Sequence, residues 1–358
     1  MFNLKSIPGN LSGKKVLLRV DFNMPSKREV GDDLRWANTL PTIKFLIRKK
    51  ARIILISHLE KGGVHPSMKT VFDKIKRKIR NARFSSGLVG HKTSKEVNSL
   101  KPGQILMLEN LRWNAGEKKN SPVFAKNLAS LADIYINEAF SVSHRRHASI
   151  VGLPKYLPSY AGPLFKEEIK NLSLAFNPSN PFMLVVGGNK LATKIPLIKK
   201  FFKKADYIIV GGSLARSFID SKGRGLKTSK ILLPRDVTVR RKNRKIVIDT
   251  LQLKKEDIIY DLGPKSMKEI AELASKSRFI LWNGPLGFVE GGYVSGTLSL
   301  IKALRMTKAK VIAGGGDTAA FLQSRRLGKG FHFISTAGGA MLDFLVRGTL
   351  PGIEALKK

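Results

Sequence analysis

The 358-residue sequence contains no cysteine, which excludes disulfides, thiolate metal sites and a thiol nucleophile. It has no uninterrupted run of about 18 apolar residues, so no membrane-spanning helix is expected. The opening stretch MFNLKSIPGNLSGKK lacks the apolar region of a signal peptide. These three absences are compatible with a reducing cytoplasm, which is the location that we expect for the chain.

Several motifs of familiar active sites are also missing. The chain has no G-x-x-x-x-G-K-[ST] loop and no G-x-G-x-x-G after a strand, so neither the Walker loop nor the dinucleotide fingerprint is present. It also has no G-x-S-x-G elbow and no H-E-x-x-H motif. These absences argue against a serine hydrolase of the elbow type and against a zinc peptidase.

Acidic residues are scarce, with 26 Asp and Glu against 65 Lys and Arg, which gives a net charge of +39. Such an imbalance indicates an anionic substrate, a polyanionic partner or an unusual ionic setting. The basic runs KIKRKIRNAR, IKKFFKK and RRKNRK are scattered along the chain rather than gathered in one tail. Scattering favours a solvated surface, while non-specific nucleic-acid binding stays open as the alternative.

Short apolar runs alternate with helix-like stretches such as SPVFAKNLASLA and SGTLSLIKALRM. This alternation predicts an α/β fold with mainly parallel sheets that helices cover on both faces. The length of the chain predicts two domains. The runs typical of strands are VLLRV, RIILIS, QILML, DIYIN, FMLVVGG, YIIVGG, KIVI, RFILW, KVIAGGG and FHFIST.

The stretch PLFKEEIKNLSLAFNPSNP is where we expect one domain to end and the other to begin. Pro163 can open a helix, and the segment Asn177–Pro181 is rich in residues that break one. We therefore predict a connecting helix at 165–176, between a domain at 1–164 and a domain at 177–344.

Six glycine-rich turns follow strand-like runs in the second half of the chain, among them VVGGNK, WNGPLG and AGGGDT. Glycine lets the backbone approach a ligand, and N–H groups at a helix start bind anions. Six such turns at one sheet edge indicate a nucleotide, although glycines also simply punctuate loops. Lys190 and Lys194 follow one turn at i and i+4, so a helix there would place both ammonium groups on one face.

Two acids stand beside these turns. Asp317 follows three glycines, where it can cap the next helix or can hold a magnesium ion that is bound to phosphates. Glu290 in NGPLGFVE is a candidate ribose contact. The sequence by itself does not decide between the two roles of Asp317.

The first half of the chain carries cationic and hydrogen-bonding residues after successive strand-like runs. Single residues of these types are usually structural, but a set at four strand ends suits a small, multiply anionic molecule. No acid is placed as an evident general base. The set comprises Asp21, Asn23, Arg35, His58, Lys61, Arg112, His144, Arg145 and His147.

These motifs occur in an order that resembles the phosphoglycerate kinase family nearly from end to end. The motifs that carry the resemblance are VLLRVDFNMP, ISHLEKGG, MLENLRW, NEAFSVSHRRHASIVGLP, VVGGNKLATKI, DLGPKS, LWNGPLGFVE, AGGGDTAAFL, FISTAGGAMLDFL and LPGIEAL.

The resemblance implies two Rossmann-like domains joined by a hinge helix, with the tail 345–358 packing back on the first domain. It implies a monomer that transfers a phosphoryl group between ATP and 3-phosphoglycerate, or between 1,3-bisphosphoglycerate and ADP, with Mg²⁺. Hinge closure and charge neutralisation would drive this transfer. No general base is needed, because the acceptor carboxylate is already ionised near neutral pH.

For the first domain, the resemblance implies that Asp21 and Asn23 hold the glycerate hydroxyl region. Arg35 would face the carboxylate and the phosphoryl group that is transferred. The basic patch around the 3-phosphate would comprise His58, Lys61, Arg112 and Arg145.

For the second domain, the resemblance assigns phosphate contacts to Lys190 and Lys194 and ribose to Glu290. Asp317 would hold Mg²⁺, and Thr318 a phosphate. Gly338 and Gly339 would donate backbone N–H groups to the phosphoryl group during transfer. The remaining nucleotide-binding positions would be Gly212 and Gly263 on the adenine side, Asn283 near the phosphates, and Gly316 and Ala319.

Some positions depart from the family pattern. Lys61 replaces an arginine, so the charge stays but the bidentate fork is lost. Ala337 adds a methyl group where glycine can adopt a positive φ, and Met341 removes a hydroxyl. The stretch from Phe218 to Leu233 is also shorter than in the family, so we expect a trimmed helix there.

Overall fold

The structure is a computed structural model that describes residues 2–23, 34–79, 81–188, 190–220 and 230–357, without the side chains of Leu191, Ser213 and Asp220. Contacts divide the chain into two compact units, residues 1–170 with 349–358 and residues 171–348. Most of the stretch expected to be shortened, between Phe218 and Leu233, lies outside the described residues. The ligand expected for each domain stays a prediction.

The first unit is built on a six-stranded sheet in the order β3-β4-β2-β1-β5-β6, in which every described pairing is parallel. Strands β1, β2, β4 and β5 are buried almost throughout, as expected when both faces of a sheet are covered. The strands are β1 Lys15–Arg19, β2 Arg52–Ile56, β3 Ala82–Phe84, β4 Ile105–Met107, β5 Ile134–Asn137 and β6 Ser159–Ala161.

Helices connect these strands. The Ser121 hydroxyl accepts a hydrogen bond from the Phe124 N–H at 3.4 Å and so caps the helix that begins at Pro122. Pro163 opens the sixth helix, as predicted, and that helix ends at Ser173 before a 3₁₀ turn at Leu174–Phe176. The helices are α1 Leu34–Arg48, α2 Lys69–Lys76, α3 His91–Asn98, α4 Ala115–Lys118, α5 Pro122–Ala129 and α6 Pro163–Ser173.

The second unit has a six-stranded sheet in the order β15-β14-β13-β7-β8-β9, and its described pairings are all parallel. A three-stranded antiparallel sheet, β11-β10-β12, accompanies it. The strands are β7 Phe182–Val186, β8 Tyr207–Val210, β9 Ile231–Leu232, β10 Asp236–Arg241, β11 Arg244–Asp249, β12 Asp261–Leu262, β13 Phe279–Asn283, β14 Lys310–Gly314 and β15 Phe333–Ser335.

The antiparallel sheet corrects one expectation, since the run KIVI pairs antiparallel within β11 rather than in a parallel sheet. Lys242 and Asn243 form the tight turn before it, both with positive φ, and such a turn joins neighbouring strands directly. The remaining helices are α7 Leu191–Phe201, α8 Ser213–Asp220, α9 Pro264–Lys276, α10 Ser295–Met306, α11 Gly316–Ser324, α12 Gly339–Arg347 and, in the first unit, α13 Pro351–Leu356.

Candidate active site

In the first unit, the candidate residues follow the carboxyl ends of β1, β2, β4 and β5, which are neighbours in the sheet. Asp21 follows β1, His58 follows β2, Arg112 follows β4 and Arg145 follows β5. The carboxyl edge of a parallel sheet is where ligands bind in folds of this class. The topology therefore gathers these four residues on one edge.

Asp21, Asn23 and Arg35 form one connected group. The Arg35 guanidinium lies 3.7 Å from the Asp21 carboxylate and donates to the Asn23 carbonyl. Asp21 also accepts from the Asn23 N–H at 3.0 Å and from the Ser141 hydroxyl. Burial by itself would raise the pKa of Asp21, but Arg35 and these hydrogen bonds hold the pKa well below its ordinary value. Asp21 is therefore a fixed anion that orients Arg35.

His58 is buried against Arg19, a residue that the sequence reasoning missed. Arg19 Nη2 lies 3.2 Å from His58 Nδ1, and a guanidinium has no acceptor, so Nδ1 must accept this bond. Burial and the Arg19 charge lower the pKa of His58 well below its ordinary value. The imidazole is therefore neutral, and its proton lies on Nε2. An arginine inside the apolar run VLLRV was the available signal.

The guanidinium of Arg112 is largely buried and has unused hydrogen-bonding capacity. No described group accepts a hydrogen bond from its Nε, which is inaccessible to solvent. Burial and the nearby Arg145 charge lower the pKa of Arg112. Two arginines whose charges lie close together are typical of a site for an anion.

The buried carboxylate of Glu117 is connected to Arg19 through hydrogen bonds of Ser149. Glu117 accepts from the Ser149 hydroxyl at 2.6 Å and from the Ser149 N–H at 2.9 Å. The same hydroxyl accepts from Arg19 Nε at 3.1 Å. His147 lies 4.0 Å from Glu117, and its burial, with the Arg112 and Arg145 charges, lowers its pKa to about 3. His147 is thus neutral at physiological pH.

Lys61 lies on an exposed turn. Its backbone pairs with Val64 across Gly62 and Gly63, both of which have positive φ. His144, in the turn that follows the 3₁₀ segment Phe140–Val142, is partly buried.

In the second unit, the candidate residues follow β7, β8, β13, β14 and β15, which are also neighbours in their sheet. Two of the loops approach so closely that only glycine fits. A Cβ on Gly284, which has φ +96°, would lie 2.2 Å from the Gly187 carbonyl oxygen. The Gly284 N–H donates to the Thr318 hydroxyl at 2.9 Å, so the buried Thr318 side chain fixes this loop.

Lys190 and Lys194 begin α7, Lys190 as its N-cap residue and Lys194 in its first turn. Lys190 is exposed, whereas Lys194 is buried and donates to Asn283 Oδ1. Burial lowers the pKa of Lys194 to about 8, and the Asp317 charge opposes that shift. The two lysines therefore differ in their surroundings despite their regular spacing.

Helices α11 and α12 present their N-termini side by side. A Cβ on Gly338, the N-cap of α12, would lie 3.7 Å from the Gly316 nitrogen at the start of α11. The N-cap of α11 is Gly315, and it has no side-chain cap. The capping alternative for Asp317 is therefore wrong, since Asp317 is exposed in the first turn. Gly339, the first residue of α12, is exposed as well.

A cavity of about 360 Å³ opens beside these loops. Gly212, Glu290 and Asp317 line it, as the sequence predicts. Gly263 is not among the described residues that line it, because Gly263 lies beneath the Asp236 carboxylate that caps α9. Ala319 is buried within α11. The other lining residues are Gly188, Ile258, Ile259, Tyr260, Pro285, Gly287 and Phe288.

The two departures in the last glycine-rich turn are accommodated. Ala337 is buried without positive φ, so its methyl group causes no backbone strain. Met341 is buried, and its sulfur lies 3.7 Å from Asn283 Nδ2, which also donates to the Gly314 carbonyl at 3.1 Å. The thioether thus takes part in holding Asn283.

Among the described residues, no cluster of three or more His, Cys, Asp or Glu side chains is arranged to hold a metal ion. No helix among the residues that the structure describes is long and apolar enough to cross a membrane.

Comparison with known proteins agrees with this geometry. A family model for phosphoglycerate kinase matches residues 5–230 and 224–347. A phosphoglycerate kinase of a Wolbachia species is 37% identical, over 99% of this chain and 99% of its own. A phosphoglycerate kinase from Leptospira biflexa is 37% identical, over 97% of this chain and 96% of its own. The solved structure of the Coxiella burnetii enzyme has a TM-score of 0.81 at 33% identity and covers 97% of each chain. The solved structure of the Pyrococcus horikoshii enzyme has a TM-score of 0.86 at 28% identity and covers 97% of this chain and 96% of its own.

Two parallel-sheet units, one with an edge of buried cations and one with glycine-rich helix starts, define a phosphotransferase. The chain belongs to the phosphoglycerate kinase family and has the activity of a glycolytic phosphoglycerate kinase. The comparisons give no support to the alternative that the charge left open, a protein that binds nucleic acid non-specifically.

Proposed function

We propose that the chain transfers a phosphoryl group reversibly between ATP and the carboxylate of 3-phosphoglycerate, with 1,3-bisphosphoglycerate and ADP as the other pair. The observation that carries this proposal is the group formed by Arg19, neutral His58, Arg112 and Arg145 at four neighbouring strand ends. Within it, the buried Arg112 Nε has no described hydrogen-bond acceptor. A buried donor without an acceptor is costly unless a ligand supplies one.

The phosphate of 3-phosphoglycerate binds Arg112, Arg145 and the Nε2 proton of His58. Lys61 adds a point charge from its exposed turn. Asp21 and Asn23 hold the hydroxyl region, and Arg35, which Asp21 fixes in place, faces the carboxylate and the transferred group. The substrate phosphate then supplies an acceptor for Arg112, whose buried Nε has none among the described residues.

The nucleotide occupies the cavity of the second unit. Glu290 binds the ribose hydroxyls, and Gly212 and Gly263 belong to the adenine side, Gly263 through the start of α9 rather than as a lining residue. Asn283, Lys194 and the first turn of α11, with Gly316, Thr318 and Ala319, hold the phosphates. Helix N-termini and ammonium groups are well suited to that task.

The residues present fit a magnesium ion that travels with the nucleotide. Asp317 offers one exposed carboxylate at the cavity, and Mg²⁺ is typically bound by one or two carboxylates together with phosphates. When bound, the ion neutralises charge on the phosphates. An acid at this position would otherwise repel the nucleotide.

Charge neutralisation drives the transfer step. Lys190, Arg35 and the backbone N–H groups of Gly338 and Gly339 stabilise the charge of the phosphoryl group in flight. The acceptor is an ionised carboxylate, so no residue has to remove a proton. The hinge closure that the family implies is part of this proposal, as are a monomeric state, a cytoplasmic location and merely non-specific contact with nucleic acid.

A coupled assay tests the proposal. The full chain should consume ATP only when Mg²⁺ and 3-phosphoglycerate are both present. Arg35→Ala and Lys190→Ala should each reduce kcat at least about 100-fold, since each removes a charge from the transition state, while the melting temperature changes little. A folded chain without 3-phosphoglycerate-dependent turnover would refute the proposal.

A further inference from the structure

Lys245, on the edge strand β11, reaches the loop that carries Glu290. Its ammonium nitrogen lies 4.2 Å from the centroid of the Tyr293 ring and 3.4 Å from the Gly292 carbonyl oxygen, to which it donates. Tyr293 is almost fully buried. A cation over the face of an aromatic ring attracts it electrostatically, so Lys245 contacts both the ring and the backbone of this loop.

The Tyr293 ring continues this contact toward the cavity. It stacks on Tyr260, with the ring centroids 4.5 Å apart and the planes at 19°. Tyr260 and Phe288, whose rings are 6.4 Å apart, both line the cavity beside Glu290. The chain of contacts therefore runs from Lys245 through Tyr293 and Tyr260 to the cavity wall.

Backbone hydrogen bonds make the same connection. The Phe288 N–H donates to the Tyr260 carbonyl at 2.7 Å, and the Tyr293 N–H donates to the Phe288 carbonyl at 3.1 Å. A displaced Tyr293 would therefore move both residues that form the aromatic wall. The segment Val289–Gly291, which lies between Phe288 and Tyr293 in the chain, carries Glu290.

We propose that Lys245 is a positioning residue for nucleotide binding, which holds Tyr293 and the Gly292 carbonyl and so fixes the wall made by Tyr260, Phe288 and Glu290. This inference rests on the proposed function, because it takes the cavity to be the nucleoside site. Lys245 does not touch the cavity itself. It acts on the affinity for the nucleoside and leaves phosphoryl transfer unchanged.

The neighbouring residue supplies a matched control. Arg244 precedes Lys245 on the same exposed end of β11, and side chains alternate between the two faces of a strand. Lys245→Met and Arg244→Met each remove one positive charge from this hairpin, but only the first removes the contact with Tyr293. Lys245→Arg keeps a cation that can lie over the ring.

The experiment measures the Kd for magnesium-ADP by calorimetry, together with kcat, the KM for 3-phosphoglycerate and the melting temperature. Lys245→Met should weaken ADP binding about 2- to 5-fold, as expected for a partly exposed cation–ring contact. Its kcat and its KM for 3-phosphoglycerate should stay at the wild-type values. Arg244→Met should bind ADP like the wild type, and Lys245→Arg should restore most of the affinity.

Three results would overturn the inference. If Lys245→Met left the Kd for magnesium-ADP unchanged, with or without a lower melting temperature, the role of Lys245 would be structural only. An equal loss in Arg244→Met would assign the effect to net charge. A wild-type chain that does not bind ADP would refute the assignment of the cavity. A wild type that binds ADP but does not turn over would count against the proposed function alone.

Discussion

At the scale of single residues, Lys194 has the most informative environment in the second unit. Its buried ammonium group donates to Asn283, and burial lowers its pKa to about 8. The protonated form is the one that attracts phosphate. The neighbouring Asp317 charge supports that form, so the two residues are electrostatically coupled.

We therefore expect kcat/KM for the nucleotide to fall as the pH rises through about 8, because the free enzyme then loses the Lys194 proton. A coupled assay from pH 6 to pH 10 checks this prediction. Above the Lys194 pKa, kcat/KM should fall roughly tenfold for each pH unit. Asp317→Asn should move the fall to lower pH. If kcat/KM stayed constant up to the ordinary lysine pKa, the account would be contradicted.

The position of the candidate residues at one sheet edge could largely be predicted, because their motifs follow strand-like runs and strand ends meet at one edge of a parallel sheet. The residues that support them could not. Glu117 and Ser149 reach Arg19 from distant parts of the chain, and nothing in their local sequence indicates the contact. The packing of Gly263 against the Asp236 carboxylate is likewise a tertiary contact that its local sequence does not indicate.

At the scale of elements, Glu138 links three parts of the first unit. It follows β5, accepts from the Thr42 hydroxyl on α1 and accepts from the Phe165 N–H on α6 at 3.0 Å. Burial raises its pKa from 4.5 to about 7, and these hydrogen bonds oppose the shift only in part. A carboxyl group that is more basic in the folded state than in the unfolded state stabilises the fold at low pH.

The free energy of unfolding should therefore decrease as the pH rises from 4.5 to about 7, by about 3 kcal/mol from this group. Glu138→Gln can still accept from Phe165 and donate to Thr42, but it does not titrate. Its stability relative to the wild type should increase across that window in chemical denaturation. A constant difference between the two proteins would disprove the role of Glu138.

The loop pair Gly187 and Gly284 gives a second prediction for the elements. Gly284→Ala meets both a positive φ and a carbonyl oxygen at 2.2 Å, whereas Gly292→Ala has φ +79° and nothing within 4 Å. We expect Gly292→Ala to cost about 1 kcal/mol and Gly284→Ala roughly 2–4 kcal/mol more. Denaturant unfolding of the two variants measures the difference, and equal costs would refute the close approach.

Each of the ten runs that the sequence marks as strands overlaps a strand of the structure. Among the described residues, five strands were not marked by the sequence. Four of them, β3, β6, β9 and β12, have three residues or fewer and do not belong to a run of four or more apolar residues. The fifth, β10, begins with an aspartate and ends with two arginines, so only the three residues VTV between them are uncharged. The antiparallel pairing of β10 and β11 depends on a two-residue turn rather than on any property of the runs themselves.

At the scale of the whole molecule, the charge of +39 leaves most cations without an acid to pair with. Backbone carbonyls take the place of acids in several described contacts. Arg216 donates to the carbonyls of Lys254, Lys255 and Asp257, and Arg305 donates to that of Lys329. These two arginines therefore serve local structure, while the mutual repulsion of the excess cations remains.

Added salt should screen that repulsion and also the attraction for anionic substrates. Between about 20 mM and 200 mM KCl the screening length falls severalfold, so the melting temperature should rise while KM increases for both substrates. Thermal unfolding and steady-state kinetics across this range check both signs together. A melting temperature that falls with salt would mean that ion pairs outweigh the repulsion.

The most direct test of the account compares the KM values of two variants for both substrates in one coupled assay. Arg145→Ala should raise the KM for 3-phosphoglycerate by about 10-fold or more, because it removes a charge-assisted hydrogen bond, and should leave the KM for magnesium-ATP unchanged. Asp317→Asn should do the opposite. If either variant raised both KM values equally, the assignment of one ligand to each unit would be wrong.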